Sequence, residues 1–380
     1  MDFALSGTHR LLQQAAREFA QKELAPLAEK VDREHYFPVE SVKKLGEMGF
    51  MGVFVPEKLG GAGMDFLSYV IVMEEVAAAC AATSVIVSVN NSLVCAGLLQ
   101  FGTESQKRDL LVPLASGKQL GCYCLSEPDT GSDAAAQRTR ATRNGSGWII
   151  EGAKNFISSA LHADWAIVFA MTEPDRGSKG ITAFLVDTKS PGFEVGKAEM
   201  KLGICGSATS QITLNGVRVP EANVLGEVNG GFKIAMTLLE SGRIGIAAQA
   251  LGIGRAAYEA AVKYSKERVA FGKPISANQG IQWYLCDMAV RLENSRNLIC
   301  KAAWLKETGQ PFGKEAAMAK LYASESANWI ANKALQIHGG NGYLKEYPVE
   351  RYFRDARVTE IYEGTTEIQR LVIARHILKD

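Results

Sequence analysis

The sequence has no block of like charges and almost no net charge. Lys and Arg total 42 against 41 Asp and Glu, a formal balance of +1. That argues against nucleic acid or an anionic membrane as the main partner. Histidine is scarce, five in 380 residues, and none stands at metal-ligand spacing from a cysteine. The cysteines, Cys80, Cys95, Cys122, Cys124, Cys205, Cys286 and Cys300, are odd in number and form no C-x-x-C. Most lie in apolar surroundings, the pattern of free buried thiols in a reducing compartment. No repeat or low-complexity tract occurs. Met1-Asp2-Phe3 runs into a charged helix without a secretory h-region or an Arg/Ser-rich transit segment. The expected location is therefore the cytoplasm, or the mitochondrial matrix for a processed eukaryotic form. The most apolar stretch, residues 69–99, is interrupted by Glu74, Glu75, Asn90 and Asn91, so it predicts buried helix rather than a membrane span.

What is present describes a globular protein: 47% apolar and 22% charged residues. A chain this long divides into two or three domains. Residues 1–117 read as helical. Leu11, Leu12, Ala15, Phe19 and Leu24 recur at three- and four-residue spacing, and Pro38 opens a short helix with Val42, Leu45 and Met48 inward. A Pro/Gly loop at 55–63 precedes two apolar helices, about 66–79 and 84–101, expected at the centre of a bundle. Thr103 with Gln106 makes a capping box. Residues 118–228 change rhythm: short β-prone runs at 148–150, 165–170, 181–186 and 211–214, separated by Asn144-Gly145, Asp175-Arg176-Gly177, Pro191-Gly192 and Asn215-Gly216, predict an antiparallel, barrel-like β domain. Residues 229–380 return to helical period, with segments near 231–266, 278–306, 314–337 and 366–378 forming a four-helix bundle. The fold class is α+β, mostly α.

The stretch with the most chemistry is Tyr362-Glu363-Gly364-Thr365-Thr366. Thr366 and Gln369 have capping-box spacing, which places Glu363 just before a helix N-terminus. Gly364 permits a tight turn and leaves the carboxylate unshielded, Tyr362 supplies an aromatic wall, and the amides of Gly364, Thr365 and Thr366 suit an anion. An exposed loop Glu whose Tyr packs on a neighbour fits these residues equally well. Further pieces are weaker alone. The loop Leu125-Ser126-Glu127-Pro128-Asp129-Thr130-Gly131-Ser132 offers amides and hydroxyls, or is simply a turn. Phe156 and Ser158 share a strand face. Glu240 and Arg243 form a helical i,i+3 pair. Arg268 suits a pyrophosphate, or is a helix-end charge.

Taken in order, these motifs resemble the acyl-CoA dehydrogenase family along essentially the whole chain. The signatures are 125–133, Lys266 to Ile275, Gln336-Ile337-His338-Gly339-Gly340-Asn341-Gly342, and Arg354-Asp355-Ala356 through Arg370. The resemblance implies FAD held by Tyr123, Cys124, Leu125, Ser126, Glu127, Thr130, Gly131, Ser132, Phe156, Ile157, Ser158, Thr365, Thr366 and Glu367. Phe156 would pack on the isoalloxazine ring and Ser158 bond flavin N5, where many members carry Trp and Thr. Arg268, Phe271, Gln279, Gln336, Ile337, Gly339 and Gly340 would reach FAD bound mostly by the neighbouring subunit. That implies an obligate homo-oligomer, a tetramer built as a dimer of dimers. Ser132, Glu240, Gly242, Arg243, Tyr362 and Gly364 would contact acyl-CoA. No metal site is expected, and His338 reads as structural or flavin-adjacent.

Glu363 matches the family's catalytic base. Long-chain and isovaleryl members place that Glu at the position of Gly242, which has no side chain here. The implied reaction removes an α-proton to Glu363 while hydride leaves the β-carbon for flavin N5, giving a trans-2-enoyl-CoA. The Glu363 amide and a flavin ribityl hydroxyl would hold the thioester oxygen, and electrons would pass to an electron-transferring flavoprotein. Residues 87–93 and 243–247 look most like the short-chain, butyryl-CoA, members. Cys205, where many relatives have Arg, is a departure. Rival readings are a branched-chain or aryl-acyl-CoA dehydrogenase, an acyl-CoA oxidase, and a non-catalytic acyl-CoA- or flavin-binding scaffold.

Overall fold

A computed structural model describes residues 4–379; Met1–Phe3 and the last residue lie outside the described residues. Helices run over Gly7–Phe19, Val39–Glu47, Phe66–Ala79 and Ala81–Phe101 before the sheet, and over Gly231–Glu267, Gln279–Glu307, Gly313–His338, Val349–Arg357 and Thr366–Ile377 after it. The Thr103/Gln106 capping box is formed. The second apolar helix starts earlier than its period suggests, at Ala81, after a one-residue break at extended Cys80. It is long and apolar enough to cross a membrane, but 94% of its apolar window is buried inside the protein. The inward face of the first helix is also displaced from expectation. Leu12, Ala16, Ala20 and Leu24 are buried whereas Leu11 is exposed, and Met48 likewise points outward. Beyond that face, a π turn at Ala20–Leu24 adds a residue to one turn and keeps Ala20 and Leu24 buried four apart.

The middle region is an eight-stranded sheet: β1 (Gly121–Cys124), β2 (Arg140–Asn144), β3 (Gly147–Ser158), β4 (Trp165–Met171), β5 (Ile181–Asp187), β6 (Phe193–Ala198), β7 (Thr209–Pro220) and β8 (Val224–Leu225). The order is β6-β7-β3-β2-β4-β5-β8, with β1 beside β4. Most pairs are antiparallel as expected, but β1 and β2 both pair with β4 in parallel, so the sheet is mixed. Asn215-Gly216, expected as a turn, lies within β7.

β4 and β5 read as continuous apolar runs because both of their faces are buried. Ala166, Val168, Ala170, Phe184 and Val186 face a core internal to the sheet region. Ile167, Phe169, Ile181, Ala183 and Leu185 face the large core shared with the helices. Alternation along a strand thus ties two cores together. The buried asparagines fix the seam. Asn90 donates to Met51 O at 2.9 Å and Leu114 O at 3.0 Å, and accepts from Gly121 N at 3.2 Å, at the first residue of β1. Asn91 holds Phe50 O and Val53 N.

The helical regions before and after the sheet are joined by buried charge. Glu74 and Glu75 on Phe66–Ala79 meet Arg17, Arg255 and Arg296 from three other helices, at 2.7–3.0 Å. Arg255 alone pairs with both carboxylates. Removing one partner of a buried pair strands its charge. Arg255→Met is expected to lower the unfolding free energy by on the order of 3 kcal/mol in chemical denaturation, because each carboxylate keeps one other arginine.

Candidate active site

Glu363 lies on the turn between the Val358–Glu360 helical turn and the helix Thr366–Ile377. Its φ is +51° and that of Gly364 is +97°. A left-handed glutamate costs free energy and persists only where surroundings over-determine it. Here they do. The helix Gly313–His338 presents Lys320, Ser324 and Asn328 at four-residue spacing, one face of a helix. Lys320 Nζ donates to Gly364 O at 2.7 Å, Ser324 Oγ to Thr359 O at 2.8 Å, and Asn328 Nδ2 to Ala356 O at 3.0 Å. Gln369 Nε2 donates to Gly364 O at 2.8 Å and to Glu363 O at 3.3 Å.

That last contact corrects the expected cap. The N-cap is Thr365, whose hydroxyl accepts from Ile368 N, not Thr366. Gln369 is one residue too late for a capping box, so its amide turns back onto the two carbonyls of the left-handed turn. Lys320, Ser324 and Asn328 escaped the sequence reading entirely. Their signal was available: three polar side chains at i, i+4 and i+8 on a helix whose other inward positions are mostly alanine and isoleucine.

The turn aims the Glu363 carboxylate at the helix Gly231–Glu267. A Cβ built on Gly242 would collide with Glu363 Oε2, so the missing side chain is what admits the carboxylate. Oε2 is buried and has no hydrogen-bond partner, and buried Arg243 leaves its Nε without one. Burial pushes the Glu363 carboxyl up to about 7, while Lys320 and Arg243 pull the other way. Burial lowers Lys320 to about 8 and also lowers Arg243. An uncommitted carboxyl poised near neutrality in an apolar site is the equipment of a general base.

Tyr362, half-buried, packs against the main core. Its hydroxyl donates to Gln249 Oε1, and Gln249 donates to Ala81 O and Ser84 Oγ at 3.1 and 2.8 Å. Tyr69 OH bonds Ser88 Oγ at 3.3 Å close by Gly245. Gln249 was not singled out in the sequence. Glu240 is half-buried, its carboxylate beside Gly313, while Arg243 is buried.

Tyr123, at the end of β1, packs edge-on against Phe169, and burial together with Glu363 raises its phenol. Cys124 and Leu125 are buried beyond it. The following loop is closed by reciprocal Glu127 and Thr130 backbone bonds, at 2.9 and 3.2 Å. The Glu127 carboxylate is spent internally, accepting from Arg138 N, Thr139 N and buried Lys154. Thr130 Oγ1 is buried without a partner, half-buried Ser126 precedes it, and Gly131 and Ser132 are exposed. Phe156 has φ +57° and is 67% exposed, inside the β3 register shift between Lys154 and buried Ile157; Ser158 is half-buried. Thr366 is buried and Glu367 exposed on the first turn of the last helix.

The remaining positions cluster elsewhere. Arg268 caps the C-terminus of Gly231–Glu267, Phe271 is fully exposed with φ +51°, and Gln279 opens the next helix. Tyr264 stacks on His338 at 4.1 Å, bringing this end beside Gln336, Ile337, Gly339 and Gly340. Gln336, Gly339 and Gly340 are exposed and Ile337 is buried. His338 is buried, its ring bonds Ala334 O at 2.8 Å, and burial lowers its imidazole. Cys205 is buried near Asp32 and Arg354, which pair at 2.6 Å. Among the described residues no cluster of His, Cys, Asp and Glu forms a metal site.

The sequence matches the acyl-CoA dehydrogenase N-terminal domain over residues 6–118, the middle domain over 122–217 and the C-terminal domain over 229–378. The chain belongs to the acyl-CoA dehydrogenase family and is a flavin-dependent oxidoreductase. It is 52% identical over 375 residues to the mitochondrial short-chain specific acyl-CoA dehydrogenase of Mus musculus, covering 99% of this chain and 91% of that one. The butyryl-CoA dehydrogenase structure from Megasphaera elsdenii superposes with a TM-score of 0.98 at 45% identity, over 100% of both chains. A chain solved in work on the electron transferring flavoprotein of Acidaminococcus fermentans superposes at 0.99, also at 45% identity and over 100% of both.

Gly242→Ala tests the fit between helix and carboxylate. The added methyl must displace Glu363, and a misplacement of about 1 Å costs about 100-fold in rate. The variant is expected to fold with unchanged far-UV circular dichroism, but to lose at least about 100-fold in substrate-driven flavin reduction.

Proposed function

We propose that this protein is a FAD-dependent dehydrogenase of short, butyryl-like acyl-CoA thioesters, with Glu363 as the base that takes the α-proton. The observation that carries the reading is the buried, unpartnered Glu363 Oε2 over Gly242, with the carboxyl raised to about 7. The α-proton of a thioester is weakly acidic, so the base must meet it in a water-poor site while the developing oxyanion is held. The Glu363 carboxylate accepts the proton and its own main-chain amide donates to the thioester oxygen. The product is a trans-2-enoyl-CoA.

The residues fit a flavin. Thr130 Oγ1 is a buried hydroxyl without a partner beside exposed loop amides, and the exposed Phe156 ring next to Ser158 offers an aromatic face with a hydroxyl alongside. The 123–132 segment, Phe156 to Ser158 and Thr365 to Glu367 would hold the cofactor from one subunit. Arg268, Phe271, Gln279 and 336–340 would hold it from the neighbour. FAD, when bound, accepts the hydride that leaves the β-carbon.

Short-chain preference is supported by the polar floor. Gln249 lies seven residues along the helix from Gly242, about 10 Å away, and its bonds to Tyr362, Ala81 O and Ser84 put a fixed polar group at that depth. Fully exposed Phe271 and the exposed Trp283 and Tyr343 favour a homo-oligomer, taken here as a tetramer in the cytoplasm. An electron-transferring flavoprotein is the proposed electron acceptor, in keeping with the 0.99 superposition.

The function is tested by anaerobic mixing with butyryl-CoA, isobutyryl-CoA and octanoyl-CoA, following loss of flavin absorbance. Butyryl-CoA is expected to bleach fastest. Fastest bleaching by another thioester would reassign the pocket, and no bleaching by any would reject the activity. The sign of the pH dependence is fixed by the base. The carboxylate is the active form and its pKa is raised to about 7, so bleaching should accelerate as pH rises, level above about 7, and fall about tenfold per unit well below it.

A further inference from the structure

Lys320 has no part in the chemistry above, yet it is fully buried on the helix Gly313–His338. Burying an ammonium is costly unless it is paired and bonded. Its ammonium donates to Gly364 O, 2.7 Å away, the carbonyl that closes the left-handed pair Glu363 and Gly364. Gln369 donates to the same oxygen at 2.8 Å. Two donors, one charged, thus converge on the single backbone atom after the strained turn. A charged donor is the stronger of the two.

The charges around this point come from several elements. Arg243 and Glu240 lie on Gly231–Glu267, Glu360 on the helical turn before Glu363, and Glu367 at the start of the last helix. Tyr69, Tyr123 and Tyr362 face the carboxylate from Phe66–Ala79, β1 and the turn itself. Against the burial that raises Glu363, Lys320 stands ahead of Arg243 among the groups that lower it. Arg243 feels Glu240 as well as Glu363 and leaves its Nε without a partner, whereas Lys320 is anchored on a neutral carbonyl of the Glu363 turn itself.

We propose that Lys320 is a positioning residue for Glu363: its ammonium, anchored on Gly364 O, fixes the turn that aims the carboxylate at Gly242 and sets a positive charge behind it. Its catalytic importance rests on the assignment of Glu363 as the base; the electrostatic coupling itself does not.

The test is an infrared titration of the FAD-bound protein, using the protonated-carboxyl band that disappears in Glu363→Gln. In the unsubstituted protein the midpoint is expected at about 7. Lys320→Met should move it upward by about one pH unit or more. Lys320→Arg, which keeps the charge, should move it less than half as far. A midpoint that stays put or falls in Lys320→Met overturns the proposal. Lys320→Gln serves if the Met variant does not fold, and failure of both to give folded FAD-bound protein would assign the lysine to folding and also overturn it. Bleaching by butyryl-CoA, recorded in parallel on the unsubstituted protein, separates the two claims. Bleaching with an unmoved midpoint rejects the role of Lys320 alone. A shifted midpoint without bleaching rejects the dehydrogenase reading and keeps the coupling.

Discussion

One carboxylate must be kept dry, unpaired and aimed, and much of the helical structure answers to that constraint. An unpaired carboxylate in an apolar site is unfavourable, so the fold has to hold it there. It does so by placing Glu363 on a left-handed turn, pinning the turn's carbonyls from Gly313–His338 and from Gln369, and omitting a side chain at Gly242. The three helices that supply these features come from distant parts of the chain. The shared apolar core packs them together, and the Glu74/Glu75 arginine network ties Gly231–Glu267 to the helices before the sheet.

The sheet solves the complementary problem of presenting a loop at the same point. Asn90 sets the start of β1, which carries Tyr123 to the neighbourhood of Glu363. The loop after it is shaped from behind by Lys154, whose ammonium bonds Leu125 O, Glu127 and Gln137 while fully buried. We regard this pair as a device for loop conformation rather than for stability, since buried ion pairs rarely add much of the latter. The result leaves the Thr130 hydroxyl and the Phe156 ring uncommitted, free for a cofactor.

Much of this was legible in the sequence, for identifiable reasons. Long helices announce themselves by period, and β4 and β5 by unbroken β-prone runs. The candidate base was legible because Glu363 sits in a dense motif and because Gly242, its alternative position, is blank. What was hidden is long-range or depends on backbone register. The buried face of the first helix runs through Leu12, Ala16 and Ala20 rather than Leu11, because which of two adjacent leucines turns inward is set by the helices it packs on. The parallel pairing of β1 with β4 joins strands more than forty residues apart, and no local pattern encodes it. The cap at Thr365 rather than Thr366 differs by one residue, within the ordinary ambiguity of helix ends. Lys320 and Gln249 are single polar residues inside apolar helices, and only the fold reveals that they meet the Glu363 turn and the Tyr362 hydroxyl.

The central claim is that Glu363 takes the α-proton. It is tested most directly by rapid anaerobic mixing of Glu363→Gln with butyryl-CoA, with FAD content and thioester binding measured on the same preparation. The account predicts that the variant binds both FAD and the thioester and leaves its flavin oxidised on the timescale in which the unsubstituted protein is fully bleached. Bleaching at a near wild-type rate would contradict it and move the base to another residue.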